Sequence, residues 1–440
     1  MIDVLNLEWD ASLTRDRQMA SLVCNYLRYM GLSVVEDSLF NWYGAILKNN
    51  PRIVLICNAV GSRKNIELLN YCTCNNIPFF SMCSEGNFRE EDIDCFLWGW
   101  KKERYLKETL LFLWSDRVKK MVIRHYPQTI SQIKISGGVG FDLYRILPKI
   151  DKTAFLEKYQ KKTFCKIIGI GCWDFGFIYR EDMRYGFAGK LVDDPTFSYF
   201  DQERRVFNEI ILNIIKKNPD ILFLIKEHPG CLLGYKGSAI EGCDKFHNVL
   251  ILKNQEPIIN CISVSDFWVT YESTTALEAW LLMKQTCLIN PQGGNFKRDK
   301  VALGSPIYTN FDQIQDAIRW FGKTGELIGF KEREAIRREI ICETIQWDDG
   351  LNHVRVGNDL ISFLSTRKKV KRKYGFSFIG VYSLLRWYLC EFPILRNIFK
   401  YYKNKKDRFR KKDIQLSSEY LQRYQLKFYQ NKDLSNIHCI

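Results

Sequence analysis

The chain has little that marks a metal-binding or secreted protein. Its fifteen cysteines include no CxxC pair and no Cys/His cluster with zinc-like spacing, so the sequence predicts no metal site. They lie within apolar runs, which is typical of reduced, buried thiols in a cytoplasmic protein. The first ten residues lack the basic and apolar regions of a signal peptide, so we expect the protein to stay on the side of the membrane where it is made.

A glycine-rich nucleotide-binding fingerprint is also lacking. Glycine clusters occur at Ser136–Asp142 and Gly169–Asp174, each after a β-type run, but neither has the spacing that indicates NAD binding or a P-loop. The sequence therefore predicts no bound cofactor. Because glycine lets the backbone approach a ligand or another chain segment closely, Gly171 is included among the candidate ligand-binding residues.

Positive charge is concentrated in one part of the chain. The formal net charge is +15, and residues 367–412 contain sixteen Lys or Arg and two acids, which leaves the remainder close to neutral. Basic clusters flank an apolar stretch that charged residues and a proline interrupt, so it is a poor membrane span. The pattern predicts segments lying on an anionic membrane surface, with solvated surface helices as the alternative. Nucleic-acid binding is not expected, because no recognition motif accompanies the charge.

Length and patterning predict two α/β domains. A chain of 440 residues exceeds what one hydrophobic core usually serves. Short apolar runs alternate with helical patterns over residues 1–150 and again over 160–330, which favours two tandem doubly wound Rossmann-like domains facing a cleft. Residues 331–366 are predicted to be helices that pack back across the junction. Residues 367–440 are predicted to be a basic, helical, membrane-associating appendage.

The strongest local signal is KEHPG, which directly follows the apolar run DILFLI. It is expected at the carboxyl end of a strand, the edge where open α/β sheets bind ligands. The ammonium of Lys226 and the imidazole of His228 suit phosphate oxygens, and Pro229 holds the backbone before it extended. His228 also titrates near neutral pH and is a candidate general acid. A polar loop that merely ends a strand is the alternative.

A second signal is the hydroxyl-rich turn between the runs FWVT and ALEAWLLM. Thr275 and Glu278 match a capping box, which explains both residues without a ligand. The hydroxyls of Ser273, Thr274 and Thr275, at a helix start, also suit phosphate. Glu272 and Glu278 are candidates for hydrogen bonds to ribose or sugar hydroxyls, with a structural role as the alternative.

A third signal is Ser84–Asn87, which follows the predicted strand Ile77–Met82. This order places Glu85 on the opposite wall of the predicted cleft. A carboxylate there can take the proton from an acceptor hydroxyl. The alternative is an acid that only initiates a helix.

In combination these segments resemble the GT-B-like proteins of surface carbohydrate biosynthesis. That group is similar in pattern to capsule Kdo transferases, bacterial sialyltransferases and glycerophosphotransferases. The matching segments are SEGNF, FLWGW, ISGGVGFDLYR, KEHPG and YESTTALEAWLLMKQT, all within about residues 80–290. The chain departs from the pattern at Gly138–Gly140, where relatives tend to have an Asn and an Arg.

The resemblance implies GT-B architecture and no obligatory metal, which is consistent with the absence of a DxD motif in a suitable loop of this sequence. It assigns His228, Pro229 and the turn Ser273–Thr275 to the nucleotide phosphates, and Glu85 to the base. The expected function is sugar transfer from a nucleotide-activated donor to a glycan or lipid-linked acceptor of capsule or O-antigen type, at the inner face of the plasma membrane. Polyol-phosphate transfer and a non-catalytic scaffold of a polysaccharide assembly complex are the alternatives.

Overall fold

A computed structural model describes residues 1–9, 15–57, 63–98, 104–172, 194–228, 240–253, 255–291, 300–368, 372–408, 411–430 and 432–440. The chain divides into two compact units. The first unit comprises Met1–Leu147 with Cys342–Ile440, and the second comprises Pro148–Ile341. Within the described residues, each unit contains one six-stranded sheet whose paired strands are parallel.

The first unit begins with alternating strands and helices. They are β1 (Val4–Glu8), α1 (Arg15–Tyr29), β2 (Val34–Ser38), α2 (Trp42–Asn49), β3 (Ile53–Cys57), α3 (Arg63–Cys74), β4 (Phe79–Met82), α4 (Ile93–Trp98), β5 (Leu110–Leu113), α5 (Asp116–His125), β6 (Ile133–Ile135) and α6 (Leu143–Ile146).

The second unit repeats this alternation. Its elements are α7 (Lys152–Lys158), β7 (Lys166–Gly171), α8 (Asp194–Lys217), β8 (Ile221–Lys226), β9 (Val249–Leu252), α9 (Ile258–Val264), β10 (Phe267–Thr270), α10 (Thr275–Leu281), β11 (Gln285–Ile289), β12 (Ile307–Tyr308), α11 (Phe311–Thr324) and α12 (Glu334–Ile345). The division between the units falls within α12. The first unit ends with α13 (Asn352–Ser365), α14 (Phe378–Leu389), α15 (Lys400–Arg408) and α16 (Lys411–Tyr429).

The first sheet has the strand order β2-β1-β3-β4-β5-β6. All residues of β1 and β3 are buried, as expected for strands that helices cover on both faces. Helices α1 and α13 supply the apolar residues of one face, and α2 and α3 those of the other. The strand that follows β1 in the chain, β2, lies on one side of it, and all later strands lie on the other side. The switch point of this sheet is therefore between β1 and β3.

The second sheet has the order β12-β11-β10-β7-β8-β9. From β7 the chain adds β8 and β9 on one side, and it then adds β10, β11 and β12 on the other side of β7. The switch point therefore lies between β7 and β10. Aromatic and branched residues of α8 and α11 pack against the strands in a single apolar core. Two doubly wound parallel sheets in tandem confirm the predicted fold class.

The predicted helical C-terminal region is present, and Cys342–Ile440 belongs to the first unit. The buried His353, at the start of α13, holds Asp142 through Nδ1 at 2.7 Å and the hydroxyl of Tyr429 through Nε2 at 2.6 Å. The amide of Ile135, at the end of β6, donates to the carbonyl of Ile440 at 2.8 Å. The appendage was predicted from its charge, and the sequence pattern alone did not show these buried contacts.

Glycines in the turn that departs from the family pattern serve packing within the first unit. Gly137 has a φ of +81°, and a Cβ there would lie 1.9 Å from Oδ1 of Asn352. A Cβ on Gly138 would lie 2.8 Å from the ring of Phe141. The turn is therefore held against the start of α13 and against its own aromatic residue.

The C-terminal helices range from nine to nineteen residues. α14 has twelve residues. In the described ranges, no helix combines the length and the apolarity that a bilayer crossing requires.

Candidate functional site

Three strand ends meet at the switch point of the second sheet. In the sheet register Gly171 pairs with Lys226 on one side and with Thr270 on the other. Neighbouring strands lie about 4.8 Å apart, so the backbones of Lys226 and Thr270 are separated by ~10 Å. The Thr270 hydroxyl donates to the carbonyl of Gly171 at 3.1 Å and fixes this edge. Residues 226–228 and the turn at residues 271–274, which are far apart in sequence, thus lie at the same edge of one sheet.

The end of β8 and the two residues after it carry polar side chains that differ in burial. Lys226 is half-buried, its ammonium donates to the carbonyl of Lys253, and burial lowers its pKa. Glu227 is buried and forms an ion pair with the Lys253 ammonium at 3.4 Å. His228 is exposed, directly beyond these two residues. Pro229 lies outside the described residues.

The turn after β10 is built differently from the predicted capping box. Helix α10 begins at Thr275, and Thr274 at the N-cap makes no side-chain cap. The Thr275 hydroxyl accepts from Nε1 of Trp268 at 3.1 Å, and the Thr275 amide donates to the Ser273 hydroxyl at 3.2 Å. Glu278 is buried beneath the helix. The capping box is therefore wrong, because the buried indole engages the hydroxyl that the box requires.

Polar groups on this turn remain accessible. Ser273, Thr274 and the carboxylate of Glu272 are half-exposed. Helix α10 has seven residues, so its aligned peptide dipoles are few and its start is a weak anion site by itself. The hydroxyls of Ser273 and Thr274 are the better candidates for holding an anion here. The roles predicted for Glu272 and Glu278 toward sugar hydroxyls stay predictions.

Gly171 is required by the packing of the chain itself. A Cβ at this position would lie 2.9 Å from the Thr275 hydroxyl and 2.9 Å from Nε1 of Trp268. The close approach that the sequence indicated is therefore to the turn after β10. The absence of a side chain at Gly171 allows the hydroxyl-rich turn to pack closely on the end of β7. Contact of Gly171 with a ligand stays a prediction.

Glu85 lies at the corresponding edge of the first sheet, in the loop after β4. It is exposed, while the backbone beside it is fixed. A Cβ on Gly86 would lie 2.1 Å from the indole of Trp114, so only glycine fits. The Asn87 side chain accepts from the guanidinium of Arg117 at 2.6 Å. An exposed carboxylate on a fixed loop can meet an incoming hydroxyl without reorganising the backbone.

A buried carboxyl that sequence reasoning missed lies at the switch point of the first sheet. Glu8 ends β1, and its Oε1 accepts from the Asn6 amide at 2.9 Å and from the backbone amide of Cys57 at 3.3 Å. Burial, aided by the nearby Asp16, raises the pKa of Glu8 to about 8. A carboxyl that titrates near neutral pH suits proton transfer. The available signal was an acid that ends an otherwise apolar first strand.

Metal-ligating side chains do not cluster in the part of the chain that the structure describes, where no group of three or more could hold an ion. The expected absence of a metal and of a cofactor stays a prediction.

The two doubly wound parallel sheets match solved structures with a GT-B-like fold. A UDP-N-acetylglucosamine 2-epimerase matches with a TM-score of 0.53 at 12% identity, over 86% of this chain and 99% of that one. The S. aureus protein MnaA, in a co-structure with UDP, matches with a TM-score of 0.52 at 11% identity, over 85% of this chain and 100% of that one.

A substituted form of the wall teichoic acid polymerase TagF, soaked with CDPG, matches with a TM-score of 0.50 at 10% identity, over 83% of this chain and 89% of that one. No family model matches the sequence, and no curated protein sequence does either. At these identities the likeness shows the fold alone.

Stability is expected to depend on pH through Glu8. Its pKa is about 8 in the folded chain against an ordinary value of 4.5, so between these values the folded state holds the extra proton. The free energy of unfolding therefore falls as pH rises through this window, by at most about 1.4 kcal/mol per pH unit. Urea denaturation at a series of pH values gives the free energy of unfolding as a function of pH. This free energy should fall less steeply with pH for Glu8→Gln than for the wild type.

The exposed Glu91 provides the control for this measurement. Glu91→Gln should keep the wild-type slope, because it removes the charge of an exposed carboxylate and leaves the buried Glu8 in place. A Glu8→Gln variant with the wild-type slope would show that Glu8 titrates normally.

Proposed function

We propose that the protein is a GT-B glycosyltransferase. It moves a sugar from a nucleotide-activated donor to a glycan or lipid-linked acceptor in bacterial surface polysaccharide assembly, of capsule or O-antigen type. The observation that carries the proposal is the pairing of β7 with β8 and β10, because it brings a cation, an imidazole and a hydroxyl-rich turn to one sheet edge. The sequence resemblance to surface carbohydrate proteins supports the same class.

The donor phosphates bind along this edge. Lys226 supplies positive charge, His228 lies beyond it, and Ser273 and Thr274 supply hydroxyls two strands away. A half-buried ammonium has lost part of its hydration, so pairing with a phosphate stabilises it more than pairing in open water does. Binding exchanges the Lys253 carbonyl for a phosphate oxygen as the partner of Lys226. The MnaA co-structure with UDP shows that this fold accommodates a nucleotide.

The acceptor is activated by the first unit. Glu85 takes the proton of the acceptor hydroxyl while its oxygen bonds to the anomeric carbon, and the bond from that carbon to the nucleotide phosphate breaks. The departing phosphate gains negative charge, which Lys226 and His228 offset. Glu8 is the second candidate base, favoured by its place at the switch point; because its pKa is raised to about 8, it is ionised and able to take a proton only near or above that pH.

The enzyme acts in the cytoplasm, at the inner face of the plasma membrane. The basic residues of 367–412 attract anionic lipid there, where lipid-linked acceptors reside.

Two other reactions have support of their own, and one binding role is the further alternative. The match to TagF favours polyol-phosphate transfer, whose product retains a phosphodiester that glycosyl transfer does not form. The matches to epimerases favour conversion of the donor sugar, which needs no acceptor. A scaffold of an assembly complex turns over nothing. Analysis of the products with and without acceptor separates these outcomes.

The His228→Ala variant is expected to fold normally and to bind the donor weakly. His228 is exposed, so its removal leaves the core intact. Among UDP-, GDP-, CMP-, dTDP- and CDP-linked compounds, one should raise the unfolding temperature of the wild type by mass action. The variant should need at least about ten-fold more of it, because a charge-assisted hydrogen bond contributes about 1.5–3 kcal/mol.

His247 is the matched control, since it is exposed in the same unit but precedes β9 at the amino edge of the sheet. His247→Ala should keep the wild-type nucleotide dependence. Equal stabilisation of the wild type and His228→Ala would remove His228 from the site.

The Glu85→Gln variant is expected to retain nucleotide binding and to lose turnover by about 100-fold or more, the usual contribution of a positioned base. Asp92→Asn, an exposed acid of the same loop region, should behave as the wild type. The measurement is initial rate with saturating donor. Full activity of Glu85→Gln together with loss in Glu8→Gln would assign the base to Glu8.

A further inference from the structure

A broad apolar surface lies exposed near the C-terminus of the first unit. It is formed by α14 and the turns on either side of it, and Phe378 and Ile394 are 83% and 89% exposed. Its most prominent members are Phe376, Phe378, Tyr382, Phe392, Ile394 and Ile398. Single exposed apolar side chains are ordinary, but this many on and beside one helix favour an interaction site.

The opposite face of α14 is firmly packed on the first unit. A Cβ on Gly380 would lie 2.5 Å from the ring of Tyr43, so the helix backbone rests directly on α2. The Ser383 hydroxyl donates to the carbonyl of Phe40 at 3.1 Å, and Trp387 is buried in the same cluster. The helix therefore has one fixed face, and its apolar surface points outward as part of the folded unit.

Charge around the surface selects the partner. Lys368, Lys373, Arg396 and Lys400 are exposed before and after it in the chain, and the segment holds sixteen basic residues against two acids. The Arg386 guanidinium stacks on the ring of Tyr382 at 4.0 Å, which keeps a cation within the surface. Apolar and aromatic side chains bordered by cations match the boundary between acyl chains and anionic headgroups.

The surface is attached at the carboxyl edge of the first sheet. Phe40 follows the end of β2 and Trp9 follows the end of β1, and their ring centroids lie 5.2 Å apart. Tyr402 of α15 packs on Phe40 at 5.6 Å. Glu8 is the last residue of β1, and Glu85 lies in the loop after β4, so both are at this same edge.

We propose that this surface inserts into the headgroup region of an anionic bilayer and holds the carboxyl edge of the first sheet beside it. A lipid-linked acceptor can then present its hydroxyl to that edge while its lipid stays in the membrane. The role in acceptor delivery rests on the proposed transferase function, whereas membrane binding does not.

The test is flotation with vesicles of phosphatidylcholine alone or mixed with phosphatidylglycerol. The wild type should float with the anionic vesicles, and less so at high salt. The triple variant Phe378→Ser, Ile394→Ser, Ile398→Ser should bind about ten-fold or more weakly, because it removes apolar area that insertion into the membrane would bury. Replacing Lys368, Lys373, Arg396 and Lys400 with Gln should weaken binding to the anionic vesicles only.

Met283→Ser is the control, because this side chain is 76% exposed in the second unit and lies outside the surface. It should float as the wild type does. Absence of wild-type flotation, or equal flotation of the triple variant, would overturn the proposal. So would sedimentation showing a wild-type dimer that the triple variant dissociates, because the surface would then serve a second copy of the chain.

Turnover separates this proposal from the proposed function. With a water-soluble acceptor the triple variant should keep the wild-type rate, and with an acceptor in anionic vesicles it should be slower. Flotation without turnover on any donor would remove the transferase function and leave the membrane surface in place.

Discussion

The pairing of β7 with β8 on one side and β10 on the other is the constraint on which the candidate site depends. Parallel strands place all carboxyl ends at one edge. Because the connections after β7 and β10 lead to opposite sides of the switch point, a crevice opens between them at this edge. Lys226 and Thr270 share this edge only because Gly171 is in register with both. Any shift of register would separate the cation from the hydroxyl-rich turn.

Packing demands and ligand chemistry meet in the same few residues. Gly171 has no side chain because the Thr275 hydroxyl and the Trp268 indole occupy that space. Ser273, Thr274 and Thr275 are all half-exposed, but the Thr275 hydroxyl accepts from Trp268 and the Ser273 hydroxyl accepts from the Thr275 amide. The core of the second unit thus determines which polar groups of the turn remain available to a ligand.

Much of the fold was predictable, because long apolar runs specify buried parallel strands. The predicted strand Ile77–Met82 ends at the same residue as β4, and the apolar run before KEHPG is β8. The short strands β5 and β6 were missed, since four or three residues carry too little pattern. The packing of α16 on the first unit was also missed, because its buried polar contacts have no periodic signature.

The site was predictable in place and less so in detail. Strand-end position located Lys226, His228 and Glu85 from sequence alone, since chain order fixes the edge on which such residues lie. Partners were not predictable: the capping box failed because Trp268 takes the Thr275 hydroxyl. Glu8 was missed because its raised pKa arises from burial by distant segments.

The most direct test of the central claim is a crystal structure of the protein with the nucleotide that stabilises it. We expect the phosphates at the carboxyl edge of β7, β8 and β10, with oxygens within hydrogen-bond distance of His228 and of Ser273 or Thr274. A nucleotide bound anywhere else, with this edge empty, would contradict the account.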